Sequence, residues 1–159
     1  MTNDIPNVAI TLAPYLKASA VFEREHNALR GQVAVSLAQS IPGWANVKLD
    51  DITLTHLSGA MTNVIFSCEK KVGPNRRVLL RVYGAGTEAF FSRREETLVF
   101  QQLSHCNMGV GLLAEFGNGR FETMIDGRTC TAADIRNPIL SQKIAIKFRQ
   151  FHNVHVDID

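Results

Sequence analysis

The segment from Ile52 to Tyr83 constrains the fold more than any other part of the chain. It reads ITLTH, LSGAMTN, VIFSC, KKVGPNR and VLLRVY, three short apolar runs separated by turn-forming residues. β-Branched and aromatic side chains suit a pleated, half-buried surface, whereas Ser58, Gly59, Thr62 and Asn63 favour a turn. The pattern predicts an antiparallel hairpin followed by a third strand, and the rest of the chain has to fit that sheet.

The loop of the hairpin carries a second implication. Glycine lets backbone approach a ligand with no side chain in the way, so several N–H groups can face an anion. The same residues also make an ordinary turn, and the loop alone does not separate the two roles. Arg81 adds a constraint, because alternate strand residues share a face: Leu79, Arg81 and Tyr83 point one way, Val78, Leu80 and Val82 the other. A guanidinium cannot shed its charge, so it needs a partner or a route to water.

Ser92 to Leu103 has helical spacing, with Glu96, Val99, Phe100 and Leu103 on one face. Glu95 falls on the neighbouring face with Arg94, Leu98 and Gln102. Glu96 is therefore the candidate partner of Arg81, each being tolerable indoors as half of a pair. A cation held in this way can grip nucleotide phosphates. The alternative is an arginine that snorkels to the sheet edge and a glutamate in water.

A chain of 159 residues has room for one core, or for one lobe of something larger. Its 45% hydrophobic and 20% charged residues are those of an ordinary globular chain. The net charge of +2 is too small to argue for nucleic acid, and Arg76-Arg77 and Arg93-Arg94 are isolated doublets rather than a phosphate-tracking stripe. Cys68, Cys106 and Cys130 have no paired or metal-ligand spacing, so reduced thiols in a cytoplasmic setting are expected. His105 beside Cys106 has no second pair to complete a metal site, and His152 and His155, three apart near a helix end, have a spacing that can chelate metal but read as structural. Asp4 and Pro6 do not fit a secretory leader, and no apolar run reaches membrane-spanning length.

Met1 to Lys17 reads as irregular, and Ser19 to Ser40 as a helix through Val21, Leu29, Val33 and Leu37. Ile41-Pro42-Gly43 stops it, and Trp44 is expected to pack. Gly84 to Gly86 breaks the chain before the Glu96 helix, and His105 to Gly111 is a loop. Leu112 to Phe116 and Arg120 to Ile125 flank Gly117-Asn118-Gly119, a hairpin signal. Asp126-Gly127 ends the last strand. After a crossing over Arg128 to Arg136, Asn137 is a suitable N-cap and Pro138 a suitable first residue for a final helix. Leu140, Ile144, Phe148 and Phe151 form an apolar stripe along it that needs a cover. The predicted fold is α+β: a five-stranded antiparallel sheet with one helix between the third and fourth strands, one before the sheet and one after it.

Two strands around a glycine loop, an arginine strand, a glutamate helix and a hairpin is the order of a protein-kinase amino-terminal lobe. Ser58-Gly59-Ala60-Met61-Thr62-Asn63, VLLRVYG over Val78 to Gly84, and GRFETMIDGR over Gly119 to Arg128 resemble the choline and ethanolamine kinases, from about Ile41 to His152. The resemblance implies an irregular segment over 1–17, a kinase-like lobe over 18–125, and a hinge with the start of a second lobe over 126–159. It further implies transfer of the γ-phosphate of ATP, with Mg²⁺, to the hydroxyl of choline or ethanolamine in phospholipid synthesis.

By the same resemblance Ser58, Gly59, Ala60, Met61, Thr62, Asn63 and Val64 would form the loop over the ATP phosphates. Arg81 would be the phosphate contact and Glu96 its supporting carboxylate. Thr123, Met124, Ile125, Asp126, Gly127, Arg128 and Thr129 would form the hinge and the segment holding adenine and ribose, with backbone groups of Thr123 and Ile125 facing the base. Ala60 stands where family members usually have a second adjacent glycine. The catalytic aspartate, in an Asn-containing His-x-Asp loop, and a metal-binding aspartate come well after the hinge in this family. No such motif is read before Asp159, so no catalytic residue and no metal ligand is expected within the chain. The expectation is an inactive, truncated lobe of a longer enzyme whose other lobe covers the last helix. Family members commonly dimerise. The alternatives are the lobe of an aminoglycoside-type or other small-alcohol phosphotransferase, and a non-catalytic binding module.

Overall fold

The structure is a computed structural model that describes residue 10 and residues 19–57, 63–84 and 92–157, with the side chains of the first helix described from residue 27. Its elements in chain order are α1 (Ser19–Ser40), β1 (Ile52–Leu57), β2 (Asn63–Lys70), β3 (Arg77–Tyr83), α2 (Arg93–His105), β4 (Leu112–Phe116), β5 (Gly119–Thr123), α3 (Ala132–Arg136) and α4 (Pro138–His152). A short 3-10 turn, Leu49–Asp51, leads into β1.

All five strands join one antiparallel sheet in the order β1-β2-β3-β5-β4. The last strand of the β4–β5 hairpin, not the first, lies beside β3. Ser92 caps α2, its hydroxyl accepting from the Glu95 N–H at 3.3 Å. β5 ends at Thr123 rather than at Ile125 as the sequence predicts, because Thr123 pairs with Val78 and β3 itself begins one residue earlier, at Arg77. The ladder has almost no further partner to offer.

The chain divides into two compact units, Met1–Phe90 with Leu112–Met124, and Phe91–Gly111 with Ile125–Asp159. In the first, strand alternation makes the core: Val78, Leu80 and Val82 are buried with Phe66, Cys68, Ile52, Leu54 and Phe121. Leu29, Val33 and Leu37 of α1 recur at helical spacing and close the same cluster, together with Ile41 and Trp44. Each fully buried side chain of this kind contributes about 2 kcal/mol over an exposed one. Trp44 packs as expected and satisfies its indole by donating to the Asn75 carbonyl at 2.9 Å.

Lys70 is buried too, its ammonium 5.0 Å from the centre of the Trp44 ring and bonded to the Gly43 carbonyl. A buried ammonium is tolerated there because both the ring face and a carbonyl oxygen meet its charge. Ile10 reaches the same core and exchanges two backbone hydrogen bonds, 2.9 and 2.8 Å, with the side-chain amide of Asn118 in the β4–β5 turn.

The second unit holds α2, α3 and α4, and no residue of these three helices is fully buried. Lys147 on α4 donates to the Asn107 carbonyl at 2.9 Å, and Gln102 on α2 brackets the backbone of Asp157. The crossing expected over Arg128 to Arg136 contains a helical turn that the apolar pattern does not announce. It forms because Thr131 and Asp134 make a reciprocal capping box, satisfying two otherwise orphaned N–H groups. The cap at Asn137, whose side chain accepts from Ile139 and Leu140, and Pro138 at the helix start are as the sequence predicts.

Candidate functional site

β3 and β5 bring the charged residues together. In the observed register Arg81 lies directly opposite Arg120, and Leu79 opposite Glu122. Two like charges face to face across a ladder repel, and at this spacing they need a carboxylate within reach. Glu122, one pair further along β5 on the same face, supplies it. Arg81 Nε donates to Glu122 Oε1 at 2.7 Å and Arg81 Nη2 to Oε2 at 3.3 Å, a two-point grip. Arg120 Nε donates to the same Oε1 at 2.7 Å, and Arg120 Nη1 to the Tyr83 hydroxyl at 3.2 Å.

The three charges differ in access. The Glu122 side chain is 3% exposed and that of Arg120 6%, whereas that of Arg81 is 22% exposed. Burial works against the Arg120 charge, but the Glu122 hydrogen bond and the neighbouring Tyr83 outweigh it and raise its pKa above the ordinary value. Arg81 is thus fixed on one side by a buried carboxylate and accessible on another. A guanidinium held like this can meet a second anion without reorganising.

Sequence reasoning assigned the supporting carboxylate to Glu96. Glu96 accepts from Arg93 Nη1 at 2.6 Å, one turn back on α2, and is half-buried, while Glu95 is exposed. Arg81 belongs to the first compact unit and Glu96 to the second. Glu122 and Arg120 were not singled out from sequence. The alternation that puts Phe121 in the core already turned both of them to the other face; what was missing was the adjacency of β5 to β3.

Of the expected phosphate loop, Ser58, Gly59, Ala60, Met61 and Thr62 lie outside the described residues. Asn63 and Val64 open β2 and pair with Tyr83 and Val82, and Ile65 pairs with Arg81. The end of that loop is therefore anchored on the strand that carries the arginine. Of the expected hinge, Thr123 ends β5, Met124 is half-buried, and Ile125, Asp126, Gly127, Arg128 and Thr129 are exposed. The boundary between the two compact units falls between Met124 and Ile125.

Arg128 is held within its own unit by both oxygens of Asp134, at 2.6 and 3.0 Å. That arginine, followed by the Thr131 bonds, holds the Asp134 carboxyl well below the usual carboxylate range. Among the described residues no group of three or more His, Cys, Asp or Glu side chains is arranged to hold a metal ion. His155-Val156-Asp157 spells His-x-Asp, which the sequence reading passed over.

The family model for choline/ethanolamine kinase matches residues 54–159. A protein named probable choline kinase 2, from Arabidopsis thaliana, is 42% identical over 103 residues, which cover 63% of this chain and 29% of that protein. A probable ethanolamine kinase from the same plant is 34% identical over 113 residues, 69% of this chain and 30% of that protein. The crystal structure of a choline kinase from Cryptosporidium parvum superposes with a TM-score of 0.69 at 24% identity, over 80% of this chain and 36% of that one, a likeness of fold. The chain spans about a third of the length of the curated relatives it matches.

Proposed function

The chain belongs to the choline/ethanolamine kinase family, and from that premise we propose that it is the nucleotide-holding lobe of an ATP-dependent kinase acting on choline or ethanolamine. In this reading Arg81 grips the phosphates, Ser58 to Val64 close over them, and the segment from Thr123 to Thr129 holds adenine and ribose through the backbone of Thr123 and Ile125. Glu96 keeps, from the family resemblance, the part of a supporting carboxylate. The observation that carries the reading is the fixed but accessible guanidinium of Arg81 beside the anchor of the glycine loop.

Phosphoryl transfer asks little covalent chemistry of the protein and much positioning and charge neutralisation. This chain's share is to hold the triphosphate. By the family resemblance, the aspartate that accepts the alcohol proton and the aspartate that binds Mg²⁺ belong to later parts of the family's sequences, and we assign the 159 residues the binding of nucleotide. The reaction is expected in the cytoplasm, as a step toward phospholipids, in a protein that pairs with a second copy.

The test is an ATP-coupled assay of the full-length gene product with choline and with ethanolamine. Consumption of either supports the reading. Consumption of neither, with turnover of an aminoglycoside or another small alcohol, would move the assignment to the other acceptor class.

A further inference from the structure

We propose that Glu122, through its bonds to Arg81 and Arg120, is the positioning residue that aims Arg81 at the nucleotide phosphates, an inference that rests on the nucleotide-binding reading above. Arg81 and Arg120 occupy opposite positions of neighbouring strands. Without the intervening carboxylate their repulsion would turn the more accessible of the two, Arg81, out toward water. Glu122 Oε1 receives an Nε–H from each arginine, both at 2.7 Å, and Oε2 receives Nη2 of Arg81. Because Nε and Nη2 form one edge of the planar guanidinium, gripping that edge fixes the plane, and the opposite edge, carrying Nη1, is the one left to face a ligand.

Glu122 itself has little freedom to follow. It is 2% exposed, and Arg120, which braces it, is tied in turn to Tyr83. Glu122 also directly precedes Thr123, the last residue of β5, so the backbone expected to meet adenine and the carboxylate that sets the phosphate contact share one strand. The spacing between base and phosphate subsites is thereby written into β5.

The test compares ATP with adenosine, because a positioning role for Arg81 touches only the phosphate-bearing ligand. Affinities of the 159-residue chain for both are measured by calorimetric titration for wild type, Glu122→Gln, Glu96→Gln and the double variant Glu122→Gln/Arg120→Met. The double variant removes one buried charge of each sign, so it stays balanced if the single change fails to fold. Loss of one charge-assisted grip should weaken ATP binding about tenfold, while adenosine affinity changes less than about twofold. Thermal melting establishes that the double variant is folded before its two affinities are compared. If wild type binds ATP and both Glu122 variants bind it unchanged, or if ATP and adenosine weaken equally in a folded double variant, the role of Glu122 is overturned. An effect confined to Glu96→Gln overturns it as well. A wild-type chain that binds neither ligand overturns the nucleotide reading and this inference together, and the two failures are thus told apart.

Discussion

At Gly119 the absence of a side chain decides whether β5 can dock. A Cβ built there meets the Phe116 ring at 2.5 Å and the backbone carbonyl oxygen of Arg81 closer still. Phe116 is 4% exposed and the carbonyl belongs to a paired strand, so neither can yield cheaply. Gly119→Ala should therefore cost about 3 kcal/mol of stability, the upper range for overpacking, read as a fall in the denaturation midpoint. A loss under about 0.5 kcal/mol, the scatter of ordinary surface changes, would mean the strands part easily. The thiols give a second prediction at this scale. Burial pushes the Cys68 thiol far up from its ordinary value, whereas Cys106 and Cys130 are exposed. A native-state thiol titration should label two cysteines quickly and the third only on unfolding.

At the scale of elements, α3 exists because of its cap. Asp134 closes the capping box with Thr131 and also receives Arg128. Its folded pKa is depressed, so its contribution is complete above the ordinary carboxylate pKa of about 4 and is lost as pH falls below that toward the depressed value. Acid titration followed by carboxyl NMR should show Asp134 still ionised when exposed carboxylates have protonated. Asp134→Asn should abolish that difference while leaving the sheet intact. The cap of α4 predicts similarly: Asn137→Ala removes the acceptor for two N–H groups and should cost about 1 kcal/mol.

The same scale shows what a linear sequence discloses. The strands and α1, α2 and α4 announce themselves because their apolar residues repeat with a period that burial imposes, and Asn137-Pro138 and Gly117-Asn118-Gly119 mark a helix start and a turn by local chemistry. α3 does not, since its five residues bury nothing and its signal is one Thr131–Asp134 pair. Arg81 was legible as a cation needing a partner. Its bond to Glu122 was not, because it depends on a strand 41 residues away inserting beside β3. Buried Lys70 was hidden for the same reason: its partners, Trp44 and the Gly43 carbonyl, come from a distant turn.

For the molecule as a whole, apolar burial is unevenly shared. Among the described residues the fully buried side chains all belong to the first compact unit, whereas on α4 Phe148 is 60% exposed and Phe151 44%. Stability should follow burial rather than residue type. Phe121→Ala removes a ring with no exposed surface and should cost about 4 kcal/mol, the cavity-forming range for phenylalanine. Phe148→Ala removes a ring that is mostly in water and should change stability by about 0.5 kcal/mol or less. The chain offers its own probe, because its one tryptophan, Trp44, is buried in the core of the sheet unit. Guanidinium unfolding followed by Trp44 fluorescence should shift markedly for Phe121→Ala and hardly at all for Phe148→Ala. Equal shifts would show that the α4 ring is covered in solution, by its own chain or by another copy, and repeating the Phe148→Ala melt over a range of protein concentrations separates those two, since only association makes the midpoint depend on concentration.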